Sequence, residues 1–280
     1  MKTIQNYLQA DTIRFLDHSK HPNVLGKPNE AFISFAMDDA IATAVGNKAV
    51  PPTARMWVHA PTLVLGIPDS RLPYVRDGID YMTEQQYQVV IRNSGGLAVL
   101  LNRGVLNVSF ILPNDKKLSI HEGYDIMYDF IQQLFSPYTN SIEAYEIVGS
   151  YCPGDYDLSI NGIKFAGISQ RRVRQGVAVQ IYLDVEGSSY ERASLVRRFY
   201  EISKKGETTK HTYPEVNPEV MGTISQLTKQ AFTVEGVILE IKRLLQQSFH
   251  LQETPLTHQE AELFHKRLEQ MAKRNETIRT

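Results

Sequence analysis

The chain has 280 residues, 42% of them hydrophobic and 22% charged, with 30 lysines and arginines against 31 aspartates and glutamates. That balance excludes a general nucleic-acid binder, and no run of about 18 apolar residues is present to span a membrane. A single cysteine leaves no internal disulfide and no multi-cysteine metal site, and the N-terminal "MKTIQNYLQADTIRFLDHS" does not read as an export signal, so a cytoplasmic protein is expected.

In chain order, Ile4–Leu16 reads as an amphipathic piece followed by a polar linker. A helix is expected from near Asn29, behind Pro28 and through Glu30 and Ala31, with Phe32, Phe35, Ala36, Ala40 and Ala44 on one stripe and Pro51-Pro52 at its end. "TARMWVHAPTLVLG" predicts strand, break at Pro61, strand, with Arg55 and Trp57 on the opposite face from Met56 and Val58. After a helix over Arg71–Met82, strands are expected at Val89–Ile91 and Ala98–Leu101 on either side of a Gly95-Gly96 turn, and at Asn107–Leu112. Ser119–Phe135 predicts a helix opened by His121 and Glu122, with Tyr124, Met127, Ile131 and Leu134 on one face; Ala144–Gly149 predicts a strand.

The hairpin that follows has the strongest local signal, Asn161-Gly162 between Asp157–Ile160 and Ile163–Ile168. Gln175–Leu183 adds a strand and Glu191–Tyr200 a helix, before a polar loop over 205–220. Thr233, Val237, Ile238, Ile241, Leu244, Leu245 and Phe249 mark a long amphipathic helix. A Thr257/Glu260 capping box then opens a last one to about Lys273, with Leu263, Phe264, Leu268 and Met271 apolar. The order implies an α+β fold: a mixed and antiparallel β-sheet flanked by helices, with a helical C-terminal end.

Two stretches carry chemistry. In "SYCPGDYDLSINGIKFAGISQRR" a two-residue turn pairs Ile160 with Ile163 and Ser159 with Lys164. Tyr156, Leu158 and Ile160 then share a face with Ile163 and Phe165, while Asp157, Ser159, Lys164 and Ala166 take the other. Cys152 sits in a loop set by Pro153 and Gly154 that can fold its thiol over the Lys164 face. An adjacent ammonium favours a thiolate nucleophile and can hydrogen-bond an acyl oxygen. The alternative is an inert buried thiol beside a solvated hairpin lysine. In "RNSGGLAVLLNRGVLNVSF", Ser94-Gly95-Gly96 lets backbone approach a ligand and the apolar strand behind it suits an acyl chain, or it is an ordinary tight turn. Arg171, Arg172 and Arg174, then Arg192, Arg197 and Arg198, form either a basic surface for an acidic partner or solvated faces.

Together these stretches resemble the biotin/lipoate protein ligase and transferase superfamily over roughly residues 30 to 250. The likeness rests on Arg92, Ser94, Gly95, Gly96, Ala98 and Val99, then Asn161, Gly162, Lys164, Gly167 and Gln170, with Arg55-x-Trp57 and "NVSF" as earlier strands. The superfamily's ligases carry a third glycine and a His-Asp pair where this chain has Leu97 and Leu101-Asn102. That departure, with a cysteine ahead of the lysine, resembles the cysteine-type transferases.

The resemblance implies residues 1–250 as one catalytic domain and 251–280 as a C-terminal helix packed on it or on the carrier-docking face. It implies octanoyl transfer in lipoate biosynthesis, from the H protein of glycine cleavage to lipoyl domains of 2-oxo acid dehydrogenase complexes, with no ATP, cofactor or metal, by a monomer. It makes Cys152 the acyl-accepting nucleophile and Lys164 the contact to the acyl carbonyl. Arg92, Ser94, Gly95, Gly96, Ala98 and Gly167 become the acyl pocket, and Arg171, Arg172 and Arg174 steer the carriers. Three rivals stay open: acyl carrier protein as donor, an ATP-dependent lipoate ligase, and a non-catalytic binder of the same fold.

Overall fold

Alternating and fully apolar runs build the centre of an eight-stranded mixed sheet, and the computed structural model describes residues 4–8, 10–20, 32–114 and 117–279 of the chain. The strands are β1 (Thr12–His18), β2 (Thr53–Trp57), β3 (Thr62–Leu65), β4 (Gln88–Ile91), β5 (Val99–Leu101), β6 (Val105–Pro113), β7 (Ile142–Ala144), β8 (Asp157–Ile160), β9 (Ile163–Val173), β10 (Gly176–Asp184) and β11 (His250–Gln252). The helices are α1 (Ile4–Leu8), α2 (Ile33–Gly46), α3 (Val75–Glu84), α4 (Ile120–Phe135), α5 (Ser189–Lys204), α6 (Ile224–Thr228), α7 (Val234–Gln246) and α8 (His258–Arg279). The large sheet runs β11-β1-β2-β6-β10-β9-β8-β7, and a second, three-stranded sheet runs β4-β3-β5.

Arg55 and Trp57 do stand opposite Met56. Trp57 joins the apolar cluster of α2, α8 and the small sheet, whereas Met56 joins that of α4 and α7. Helix α2 is buried almost throughout, so its small residues Ala36, Ala40 and Ala44 lie between the large sheet and α8. Asp38 ties it down, accepting from Arg55 Nη1 at 2.7 Å, Ser109 Oγ at 2.6 Å and Gln180 Nε2 at 2.6 Å. The Thr257/Glu260 box opens α8 as expected, and Glu260 also binds Arg14 of β1 at 2.5 and 2.9 Å with both side chains fully buried.

Several expectations are corrected. Ile4–Leu16 is a short helix and then a strand. Ile13 and Phe15 face one cluster while Arg14 turns the other way to Glu260, which is a period of two. The lead-in over Pro28, Asn29, Glu30 and Ala31 lies outside the described residues. Helix α2 stops at Gly46, well before Pro51, where the Asn47 amide bonds back to Thr43. Strands β4 and β5 do not pair across the Gly95-Gly96 turn, because β3 lies between them. The strand expected at Ala144–Gly149 is β7, three residues ending at Ala144. Helix α8 runs to Arg279 rather than Lys273.

Candidate active site

The Asn161-Gly162 turn forms as the sequence dictates. Asn161 (φ +51°) and Gly162 (φ +77°) are both left-handed, and Ser159 pairs with Lys164. A bulge between Leu158 and Ser159 then shifts the register, placing Ala166 opposite Leu158 in the apolar cluster instead of on the Lys164 face. Asp157 pairs with Gly167 and keeps to the side of Lys164.

Lys164 is completely buried. Its Nζ ion-pairs with Asp157 Oδ1 at 2.8 Å and donates to Ser150 Oγ at 3.2 Å and to the carbonyl oxygens of Tyr151 and Cys152, both at 3.0 Å. Asp157 Oδ2 accepts the Ile147 N–H at 3.2 Å and the Ser150 hydroxyl at 3.3 Å. Burial pushes the Asp157 carboxyl up, and the Lys164 ammonium pulls it back. The turn held in this way is unusual, because Cys152 has φ +47°, a conformation that costs a non-glycine residue about 1–3 kcal/mol. Lys164 therefore grips the backbone of Cys152 through that residue's own carbonyl and that of Tyr151.

The sulfur meets a different cation. Arg92 Nη2 donates to Cys152 Sγ at 3.3 Å and to the Leu97 carbonyl at 2.7 Å, and the Leu97 N–H donates to Sγ at 3.2 Å. Gly96, at φ +102°, makes this possible: a Cβ there would lie 2.2 Å from Arg92 Nη2 and 2.9 Å from Sγ. Gly95 meets nothing within 4 Å, so the two glycines are not equivalent.

Beside the sulfur lies a cavity of about 250 Å³, lined by Arg92, Ser94, Gly95, Gly96 and Cys152 at one end and by Phe35, Val64, Val99 and Leu101 on its apolar walls. Its floor is a row across the large sheet: Gly167 pairs with Tyr182, Tyr182 with Asn107, and Asn107 with Trp57. Three strand spacings of roughly 4.8 Å make that row about 14 Å long. Trp57 donates to Ser109 Oγ at 2.9 Å and packs edge-on to Phe35 and His59. Burial, with Arg55 nearby, holds His59 down to about 3, so its imidazole is neutral. Ser94 Oγ is buried and has no hydrogen-bond partner among the described residues, which leaves it free for a polar group.

Cys152, Arg92, Ser94, Gly95, Gly96 and Gly167 thus converge on one cavity. Lys164 lies behind Gly167, whose Cβ position is 3.6 Å from Lys164 Cε. Ala98 does not line the cavity: it is fully buried and donates its N–H to Tyr200. The three arginines divide. Arg171 is engaged with both oxygens of Asp39 at 2.8 and 3.0 Å, so it fastens β9 to α2. Arg172 donates to Gln170 at the cavity rim, and Arg174 is exposed in the β9–β10 turn. Residues the motifs did not single out are Leu97 as N–H donor, Ser150, Tyr182 and Tyr200. Asp157 was signalled only by its parity with Lys164.

Comparison with known proteins gives concordant results. The model of the lipoyl protein ligase A/B catalytic domain matches residues 30–246. An octanoyl-[GcvH]:protein N-octanoyltransferase of Oceanobacillus iheyensis is 52% identical over 278 residues, 99% of this chain and 100% of its own. A lipoyl-[GcvH]:protein N-lipoyltransferase of Listeria monocytogenes is 44% identical over 275 residues, 98% of each chain. Among solved structures, lipoate-protein ligase A bound with ATP superposes with a TM-score of 0.69 at 15% identity, covering 95% of this chain and 98% of that one.

Proposed function

Because this chain belongs to the lipoyl protein ligase A/B catalytic-domain family, we propose that it is a transferase of lipoate biosynthesis which takes octanoyl from the H protein of glycine cleavage and passes it to a lipoyl-domain lysine through a Cys152 thioester. The observation that carries this reading is the pair of donors, Arg92 Nη2 and the Leu97 N–H, aimed at Cys152 Sγ where the cavity begins.

Both donors stabilise a thiolate. The thiolate attacks the amide carbonyl of the donor lysine, forming a C–S bond, and the tetrahedral oxyanion falls beside the same loop. The C–N bond then breaks and the departing amine takes up one proton, matching the one the thiol gave up. In the second half the acceptor lysine's neutral amine forms a new C–N bond and gives up one proton, the C–S bond breaks, and that proton returns to the departing sulfur, which restores the thiol. One amide replaces another, so the reaction needs no ATP. The acyl chain runs from Gly167 over Tyr182 and Asn107 toward Trp57, where burying about seven carbons at roughly 0.8 kcal/mol each supplies several kcal/mol of gross binding. The reading implies a cytoplasmic monomer with residues 1–250 as the catalytic unit and 251–280 as an appended helix. No helix among the described residues is long and apolar enough to cross a membrane.

Intact mass after incubation with octanoylated H protein, without ATP and alongside Cys152→Ala, tests this. An octanoyl adduct on the native protein only, released by neutral hydroxylamine, is expected. An adduct from octanoyl-acyl carrier protein alone reassigns the donor, and silence from both donors returns the chain to the ATP-dependent class. Since the Listeria relative is a lipoyltransferase, lipoylated H protein belongs in the same experiment.

A further inference from the structure

One buried carboxylate outside the cavity holds the loop that faces the sulfur. Asp69, at no exposure, follows β3, and its Oδ2 accepts the Gly66 N–H at 2.7 Å while Oδ1 accepts the Tyr200 hydroxyl at 2.9 Å. Tyr200 in turn accepts the Ala98 N–H at 3.2 Å. Gly66 presses on the same loop from the other end, since a Cβ there would lie 1.9 Å from the Gly96 carbonyl oxygen. Asp69 thus reaches both ends of the Gly96–Ala98 segment, whose middle residue gives its N–H to Cys152.

We propose that Asp69 and Tyr200 are positioning residues for the nucleophile: the ionised Asp69 carboxylate, acting through Tyr200 and Gly66, sets the Leu97 N–H and the Arg92 guanidinium against Cys152 Sγ, and protonation of Asp69 disengages them. This deepens the thioester reading and rests on it.

The hydrogen-bond count supplies the reason. Each oxygen of the ionised carboxylate accepts one hydrogen bond, and Tyr200 donates its hydroxyl hydrogen to Asp69 while accepting the Ala98 N–H on a lone pair. A proton on Oδ1 reverses the bond with Tyr200, whose own hydroxyl hydrogen must then turn away from Asp69 to another acceptor in a buried site. It also removes the negative charge facing Arg92. The charged or titratable groups around Asp69 are Arg92 and Tyr200, with Tyr213 and, beyond Tyr200, Cys152. Burial outweighs the Tyr200, Gly66 and Arg92 contacts and raises the Asp69 carboxyl to about 6, where mild acid reaches it.

The test is the rate of Cys152 alkylation by iodoacetamide against pH, which reads the thiolate with no carrier present. Tyr200→Phe keeps the ring against Phe199 and Tyr213 and removes only the relay. It is expected to displace the profile about one unit to higher pH, and so to slow alkylation at neutral pH about tenfold. Asp69→Asn is expected to do the same and to abolish the inflection near 6. Circular dichroism shows which variants are folded. An unchanged profile in a folded variant overturns the proposal, and so does uniform slowing without displacement along the pH axis. If native protein takes octanoyl from no donor, the transferase reading fails, whereas the alkylation profile still decides the role of Asp69.

Discussion

On one side of Cys152, the Gly96–Leu97 loop brings an N–H and the Arg92 guanidinium to the sulfur. On the other, Lys164 reaches, among the described residues, carbonyl oxygens, a hydroxyl and a carboxylate, and holds the backbone of the turn. In the proposed reaction the first set feels every change of state at sulfur, from thiol to thiolate to thioester, so it can act differentially on that reaction. The second is satisfied in all of them. It fixes where the sulfur stands, at a φ that the residue would otherwise leave. Two cations near one cysteine thus do separate work, and variants should separate them.

The largest effect is expected at Lys164. Lys164→Ala leaves Asp157 as an unpaired buried carboxylate and should cost about 3–5 kcal/mol in denaturant unfolding. Lys164→Met with Asp157→Leu removes both charges and should recover most of that stability, yet form the acyl adduct poorly because nothing grips the Tyr151 and Cys152 carbonyls. Full stability in Lys164→Ala, with adduct formation alone lost, would move Lys164 to the sulfur side.

Arg92 is the opposite case. Its guanidinium is a donor to the sulfur proposed to react, so Arg92→Ala should lower the single-turnover rate of acylation by roughly a hundredfold. Stability should change by only about 1 kcal/mol. Arg92→Lys should not restore the rate, because Nη2 donates to both Leu97 O and Sγ along two N–H directions fixed by the guanidinium plane, which a shorter, freely rotating ammonium does not hold. A rate loss matched by an equal stability loss would erase the distinction between the two cations.

The glycines sharpen the comparison further. Gly96→Ala puts a Cβ between Arg92 and Sγ at φ +102°, and should slow acylation about tenfold with a stability cost near 1 kcal/mol. Gly95→Ala meets open space and should leave the rate unchanged, although the two glycines are adjacent in the chain. Equal effects would mean that the loop, rather than its approach to sulfur, is what the substitution disturbs.

These assignments show where sequence was readable. The Asn161-Gly162 hairpin, the opposed faces of Arg55 and Met56, and the Thr257/Glu260 cap are local patterns, and each forms as expected. Of the motif residues, Arg92, Ser94, Gly95, Gly96, Gly167 and Gln170 line one cavity with Cys152, whereas Ala98 and Lys164 do not. What was not legible depends on partners distant in sequence. The donors to Sγ come from 55 and 60 residues away. Strand β3 enters between β4 and β5, and Arg14 finds Glu260 at the far end of the chain. A one-residue bulge was enough to move Ala166 to another face, since side chains alternate with a period of two.

The arginines beyond Lys164 give the smallest effect and the last discrimination. Read as a run, Arg171, Arg172 and Arg174 look alike, but strand alternation and the turn give each a different surrounding. Arg171 is committed to Asp39, and Arg171→Ala should lower stability by about 1 kcal/mol through the lost bidentate pair. Arg174 is exposed at the β9–β10 turn with φ +54°, where its charge is available to an approaching carrier. Exposed charges change encounter rates more than they change the bound complex, so Arg174→Gln should raise KM for octanoylated H protein no more than about threefold and leave kcat unchanged. The difference should vanish at high salt, where the Debye length falls to about 3 Å. A salt-independent loss at Arg174, or a salt-dependent one at Arg171, would invert the assignment, and measuring both variants at two ionic strengths distinguishes steering from fastening.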